Sequence, residues 1–163
     1  MARKTLSVAV SIPMACVLFA PWVVPQDEQL ACGPSNEKYR LVRHKDKPLP
    51  EASPGKAVVY VLRGLATGFG MYRGGVRLGV DGKWVGMTER RSYFYFAADP
   101  GLLKLCLDAR KTEMFLTVEA GKTYYVMMEV GPVSGVRRLL AISEDEAKKR
   151  LPRYHYATAE RKP

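Results

Sequence analysis

The chain has 163 residues, 26 Lys and Arg against 16 Asp and Glu, and a formal net charge of +10. That length suits one domain with a core of its own, and 47% hydrophobic residues with 10% aromatic excludes a disordered polymer. The positive balance favours acidic partners such as lipid headgroups, anionic glycans or nucleic acid, but the cations are spread along the sequence and read chiefly as solvated charge.

Arg3 and Lys4 precede Leu6 to Pro25, a run with no charged residue; the next charge is Asp27. A short basic stretch before an apolar run is the layout of a secretory leader, so residues 1–25 are expected to be a signal peptide or an N-terminal anchor. The run is about as long as the ~20 residues that span a bilayer, but Pro13, Pro21 and Pro25 weaken a continuous helix. Ala20 is small enough to precede a cleavage point. A lipid anchor is the third alternative. Its cysteine candidates fit poorly, because Cys16 comes too early and Cys32 follows the acidic pair Asp27-Glu28. The expected compartment is the periplasm or cell envelope, with nucleic acid not expected as a partner and membrane contact only through an uncleaved leader or a lipid anchor.

Cys16 would leave with the leader, so Cys32 and Cys106 remain as an even pair in an oxidising compartment, which suggests a disulfide. The alternative is a buried apolar Cys106 and a mobile Cys32 thiol. Residues 26–53, rich in charge and proline, read as an extended N-terminal segment.

From Pro54 onward, short apolar runs alternate with turn residues. Lys56 to Arg63 reads as a strand buried on both faces. Gly64 to Gly75 is a glycine-rich loop. Val76 to Val80 and Lys83 to Met87 flank Asp81-Gly82, the strongest short hairpin signal. Arg91 to Ala98 is an aromatic strand, turned by Asp99-Pro100-Gly101 into a returning run, Leu102 to Asp108. Met114 to Glu119 and Lys122 to Val130 flank Ala120-Gly121, and Val136 to Ile142 completes the set. Ser143 followed by Glu146 is a capping box for one helix, which Pro152 ends. Residues 152–163 read as a loose basic tail. The sum is a mainly β chain: an antiparallel β-sandwich, immunoglobulin-like or transthyretin-like, of about seven or eight strands, with one short C-terminal helix over residues 54–151.

Chemistry is sparse. His44 and His155 have no partner at metal-ligand spacing, and no nucleophile elbow is present. Glu89, Glu113, Glu119 and Glu129 show no acid-pair spacing. Gly68 to Gly75 misses the dinucleotide fingerprint, since Arg73 stands where its third glycine belongs. The loop could instead display Phe69, Tyr72 and Arg73 to a ligand or partner. In Tyr93-Phe94-Tyr95-Phe96 alternate residues face opposite sides; the phenylalanines suit the core and the tyrosines an exposed ligand face. No cofactor is expected.

Pro54-Gly55-Lys56-Ala57-Val58-Val59-Tyr60-Val61, Val80-Asp81-Gly82-Lys83-Trp84-Val85-Gly86, Ser92-Tyr93-Phe94-Tyr95-Phe96, Asp99-Pro100-Gly101 and Glu119-Ala120-Gly121-Lys122-Thr123-Tyr124-Tyr125-Val126 together resemble the DUF2846 family of exported bacterial domains. The layout is also similar to PEGA-type surface β domains. The resemblance covers about Pro54 to Ile142 and implies an envelope location and a β-sandwich; it implies no catalytic residue. The expected function is therefore a non-catalytic module that binds an envelope protein, a glycan or an anionic membrane surface. A small-molecule or glycan site on the Gly64–Gly75 loop is the alternative, and a hydrolase is a more distant one.

Overall fold

Alternation along each strand decides which side chains meet in the middle. In the computed structural model, which describes residues 32–50, 53–64, 74–107, 112–130 and 137–162, ten strands form two sheets. They are β1 (Tyr39–His44), β2 (Ala57–Arg63), β3 (Val76–Val80), β4 (Lys83–Thr88), β5 (Ser92–Ala98), β6 (Gly101–Leu107), β7 (Thr112–Val118), β8 (Thr123–Val130), β9 (Arg137–Ile142) and β10 (His155–Arg161). One sheet has the order β1-β10-β5-β2-β8-β9 and the other β4-β3-β6-β7. Val59, Val61, Phe94, Val126 and Met128 of the larger sheet pack on Val76, Leu78, Leu103, Leu105, Leu107 and Val118 of the smaller. The architecture is a β-sandwich, mainly antiparallel.

The turns divide into two kinds. Asp81 and Gly82, both at positive φ (48° and 78°), join β3 to β4 as a tight hairpin. Asp99-Pro100-Gly101 and Ala120-Gly121, by contrast, do not close hairpins. Each carries the chain from one sheet to the other, from β5 to β6 and from β7 to β8. Because β8 enters the larger sheet from such a crossover, it runs parallel to β2, with Tyr60 opposite Tyr125. A second short parallel pairing joins β10 to β5 at His155–Ser92 and Tyr156–Tyr93. The purely antiparallel expectation is corrected at these two places.

Two segments expected to be irregular are strands, which raises the count from seven or eight to ten. β1 lies within the extended segment 26–53, and β10 lies within the tail 152–163. They pair antiparallel over their whole length, Tyr39–Arg161 to His44–Tyr156. Ion pairs Arg40–Glu160 (2.6 Å) and Arg161–Glu37 (3.3 Å) flank them. Such exposed pairs contribute little each; burial of Ala157 and the ladder itself contribute more.

Helix α1 (Glu144–Arg150) starts where the capping box places it: the Ser143 hydroxyl accepts from the Glu146 amide at 3.2 Å. A 3₁₀ turn, Leu151–Arg153, follows, and Tyr154 is buried.

Cys32 and Cys106 form a disulfide with Cα atoms 5.2 Å apart, so the stretch after Cys32 is tied to β6. Glycines permit its close approach. A Cβ on Gly79 would lie 1.8 Å from the Cys32 carbonyl oxygen, and one on Gly33 would lie 2.6 Å from the Trp84 ring. Trp84 donates from Nε1 to the Pro34 carbonyl at 3.0 Å, and Arg77 lies 4.2 Å over its ring.

Two outcomes follow from this arrangement. A chain ending at Pro152 would leave β1 without its one partner among the described residues and is expected to lose cooperative urea unfolding at the full-length midpoint; an unchanged midpoint would mean that the tail is dispensable. Cys32→Ser should lower unfolding free energy by roughly 2–5 kcal/mol in denaturant titration, since the bridge closes a loop of 74 residues.

Candidate functional site

Residues of β5 alternate across the larger sheet, with Phe94 and Phe96 on the core side and Tyr93 and Tyr95 on the outer side. The neighbouring strands present tyrosine at matching positions. Tyr60 of β2 is paired directly with Tyr95, Tyr125 of β8 is paired with Tyr60, and Tyr156 of β10 is paired with Tyr93. Register thus gathers five tyrosines from four strands.

The centroids of Tyr125 and Tyr60 are 5.3 Å apart, those of Tyr60 and Tyr95 are 5.5 Å apart, and those of Tyr95 and Tyr156 are 5.3 Å apart. The first and last of these pairs have interplanar angles of 24° and 23°. Nearly parallel rings this close cannot lie side by side in one plane; they stand on the sheet and overlap in offset stacks. Their outward borders are therefore ring edges and hydroxyls. His44 of β1 continues the row, 5.3 Å from Tyr156, and its Nε2 lies 2.8 Å from the Thr158 hydroxyl.

One side of the row is covered. Leu62, Tyr93, Met127 and Tyr154 form a second buried cluster, with Leu151 and Ile142 packed on it. On the other side the sheet is uncovered among the described residues. The next residues along the same face are Ala97 and Thr123, both exposed, and half-buried Val58, which pairs with each of them. One further step along, Lys56 and Asp99 form an ion pair at 2.6 Å. The result is a trough running across the strands. Its wall is Tyr125, Tyr60 and Tyr95, with Tyr156 set one step back beside Tyr93, its floor is Ala97, Val58 and Thr123, and its far rim is Lys56–Asp99.

Burial pushes the Tyr93 phenol up to about 12 and also raises Tyr60, Tyr125 and Tyr156, in each case mainly because the phenolate would be desolvated. A hydrogen bond with Tyr95 adds to the rise at Tyr156. Tyr60, Tyr125 and Tyr156 therefore present neutral hydroxyls at physiological pH.

The remaining candidates from the sequence fall elsewhere. Phe69, Tyr72 and Arg73 lie outside the described residues. His155 is exposed, with its backbone amide bonded to the Arg91 carbonyl at 2.8 Å. Glu89, Glu113 and Glu119 are paired with Arg43, Lys104 and Lys122 respectively, and Glu129 is exposed. Among the described residues no three His, Cys, Asp or Glu side chains come together as a metal site. A cleft lined by Tyr39, Trp84, Val85, Gly86 and Ala159 measures about 70 Å³, well below the several hundred that ligand pockets occupy.

Only Tyr93 and Tyr95 were legible in the sequence as a ligand face. Tyr60 and Tyr125 sit at positions of the same parity in their strands, but that signal becomes a site only once the β2–β8 register is known. No protein family, curated protein or solved structure matches the sequence.

In an alkaline titration followed by ultraviolet absorbance, Tyr93 should ionise near pH 12. A folded-state value above the ordinary tyrosine value of 10.0 means that Tyr93 contributes stability in full below pH 10 and loses it as pH rises through about 12. A Tyr93→Phe variant is expected to flatten that alkaline fall in stability; an unchanged slope would deny the group its part in it.

Proposed function

We propose that the chain is an exported, non-catalytic binding protein of the bacterial cell envelope, and that the outer face of the six-stranded sheet is its binding surface. The observation that carries this reading is the tyrosine row beside an open floor of small side chains. Tyrosines are favourable binding groups because each offers a large rigid surface and a polar tip at little cost in conformational freedom. Here their packing against one another and against Leu62 and Met127 holds them in place before any partner arrives.

Export draws its support from Arg3, Lys4 and the uncharged run to Pro25, and from the Cys32–Cys106 bridge, a bond that persists in oxidising compartments. The resemblance to DUF2846 domains points to the same location.

A photo-crosslinking residue placed at Ala97, in the trough, is expected to capture an envelope component in living cells. The same group at Thr117, on the opposite sheet, is expected to capture nothing comparable. Equal capture at both positions, or none at Ala97, would contradict the assignment of this face. Intact mass of the same envelope preparation should lack roughly the first 20–31 residues, and a full-length mass with free thiols would contradict export.

A further inference from the structure

Resting on the binding reading above, we infer that the trough takes a linear, neutral glycan laid across the strands, with successive sugar rings set against successive tyrosines. Two features of the trough select this class of ligand.

The first is its repeat. Neighbouring strands in a sheet lie about 4.8 Å apart, and Tyr125, Tyr60 and Tyr95, in register on β8, β2 and β5, follow that spacing with centroid steps of 5.3 and 5.5 Å. One step is close to the length that a single pyranose adds to an extended β-linked chain. An extended peptide advances by a different increment and alternates its side chains, so it would fall out of step with the row. Four residues separate Tyr60 from Lys56, roughly 13 Å along the strand. That leaves room for one saccharide chain over the Ala97–Val58–Thr123 floor.

The second is its charge. In a chain of net charge +10, the borders of this face are balanced. Lys56 is paired with Asp99 at the rim, and Lys148 is paired with Glu144 at 2.7 Å beside Tyr125. Burial holds Tyr60 and Tyr125 of the wall as neutral phenols. A polyanion would gain nothing from such a surface and would meet the Asp99 and Glu144 carboxylates. The groups on offer are phenol hydroxyls, an ammonium and carboxylates, a mixture of donors and acceptors. A sugar hydroxyl is both donor and acceptor and can serve all of them, while its C–H faces suit Ala97 and Val58.

The test is titration calorimetry of the mature protein with cellobiose, cellotetraose and chitotetraose, and with tetragalacturonate as the acidic counterpart. Affinity is expected to rise from the disaccharide to the tetrasaccharides and to be weakest for the acidic chain. Ala97→Arg, a change on an exposed floor position, should abolish binding with the unfolding midpoint intact. Tyr60→Ala should weaken binding on the order of tenfold, and Tyr60→Phe should retain most of it. No binding of either neutral tetrasaccharide, tightest binding of tetragalacturonate, or binding indifferent to Ala97→Arg would overturn the inference. If the neutral tetrasaccharides fail while crosslinking at Ala97 still captures an envelope protein, the glycan falls and the binding face stands; if both fail, both fall.

Discussion

The register of β2 between β5 and β8 is the constraint on which the rest of the molecule depends. It places Val59 and Val61 inside and Tyr60 outside, and with them the inward residues Phe94, Phe96, Val126 and Met128 and the outward residues Tyr95 and Tyr125. A slip of one residue would turn Tyr60 into the core and a valine to the surface. Core packing and the tyrosine face are therefore two sides of one decision. The core supplies the larger energy, since each of these buried apolar side chains contributes about 1.5–3 kcal/mol. The outer face inherits its geometry from that packing.

Around this centre the sandwich is closed by segments distant in sequence. β1 pairs with β10, and β10 pairs in turn with β5, which sets Tyr156 beside Tyr93 and Tyr95. The disulfide ties the segment before β1 to β6 on the opposite sheet, where Gly79 and Gly33 leave space for it. At the end of β2, Arg63 is buried and donates from Nη1 to the carbonyls of Gly74 and Thr88 at 2.7 and 3.2 Å. This bonds β2 to the chain entering β3 and to the end of β4.

How much of this was legible in the sequence differs element by element. Eight of the strands, the Asp81-Gly82 hairpin and the capped helix were readable because their signals are local: alternation, positive-φ turn residues, a serine three positions before a glutamate. The two crossovers looked like hairpins because Pro100-Gly101 and Ala120-Gly121 reverse the chain in the same way whichever sheet receives it. Tyr39–His44 and His155–Arg161 were missed because Arg40 and Arg43 interrupt the apolar pattern of one, and alanine, threonine and charged residues make up most of the other. Their strand character comes from a pairing more than 110 residues apart in sequence. The candidate site was half legible for the same reason. Tyr93 and Tyr95 share one strand, but Tyr60, Tyr125 and Tyr156 join them only through register.

The most direct test of that register is a set of proton–proton Overhauser contacts in solution. The account predicts cross-strand contacts from the Tyr60 ring to those of Tyr95 and Tyr125, and from the Phe94 ring to the α-protons of Gly86. Contacts from Tyr60 to Phe96, Leu105 or other core residues, with Val59 or Val61 facing the tyrosines instead, would contradict it.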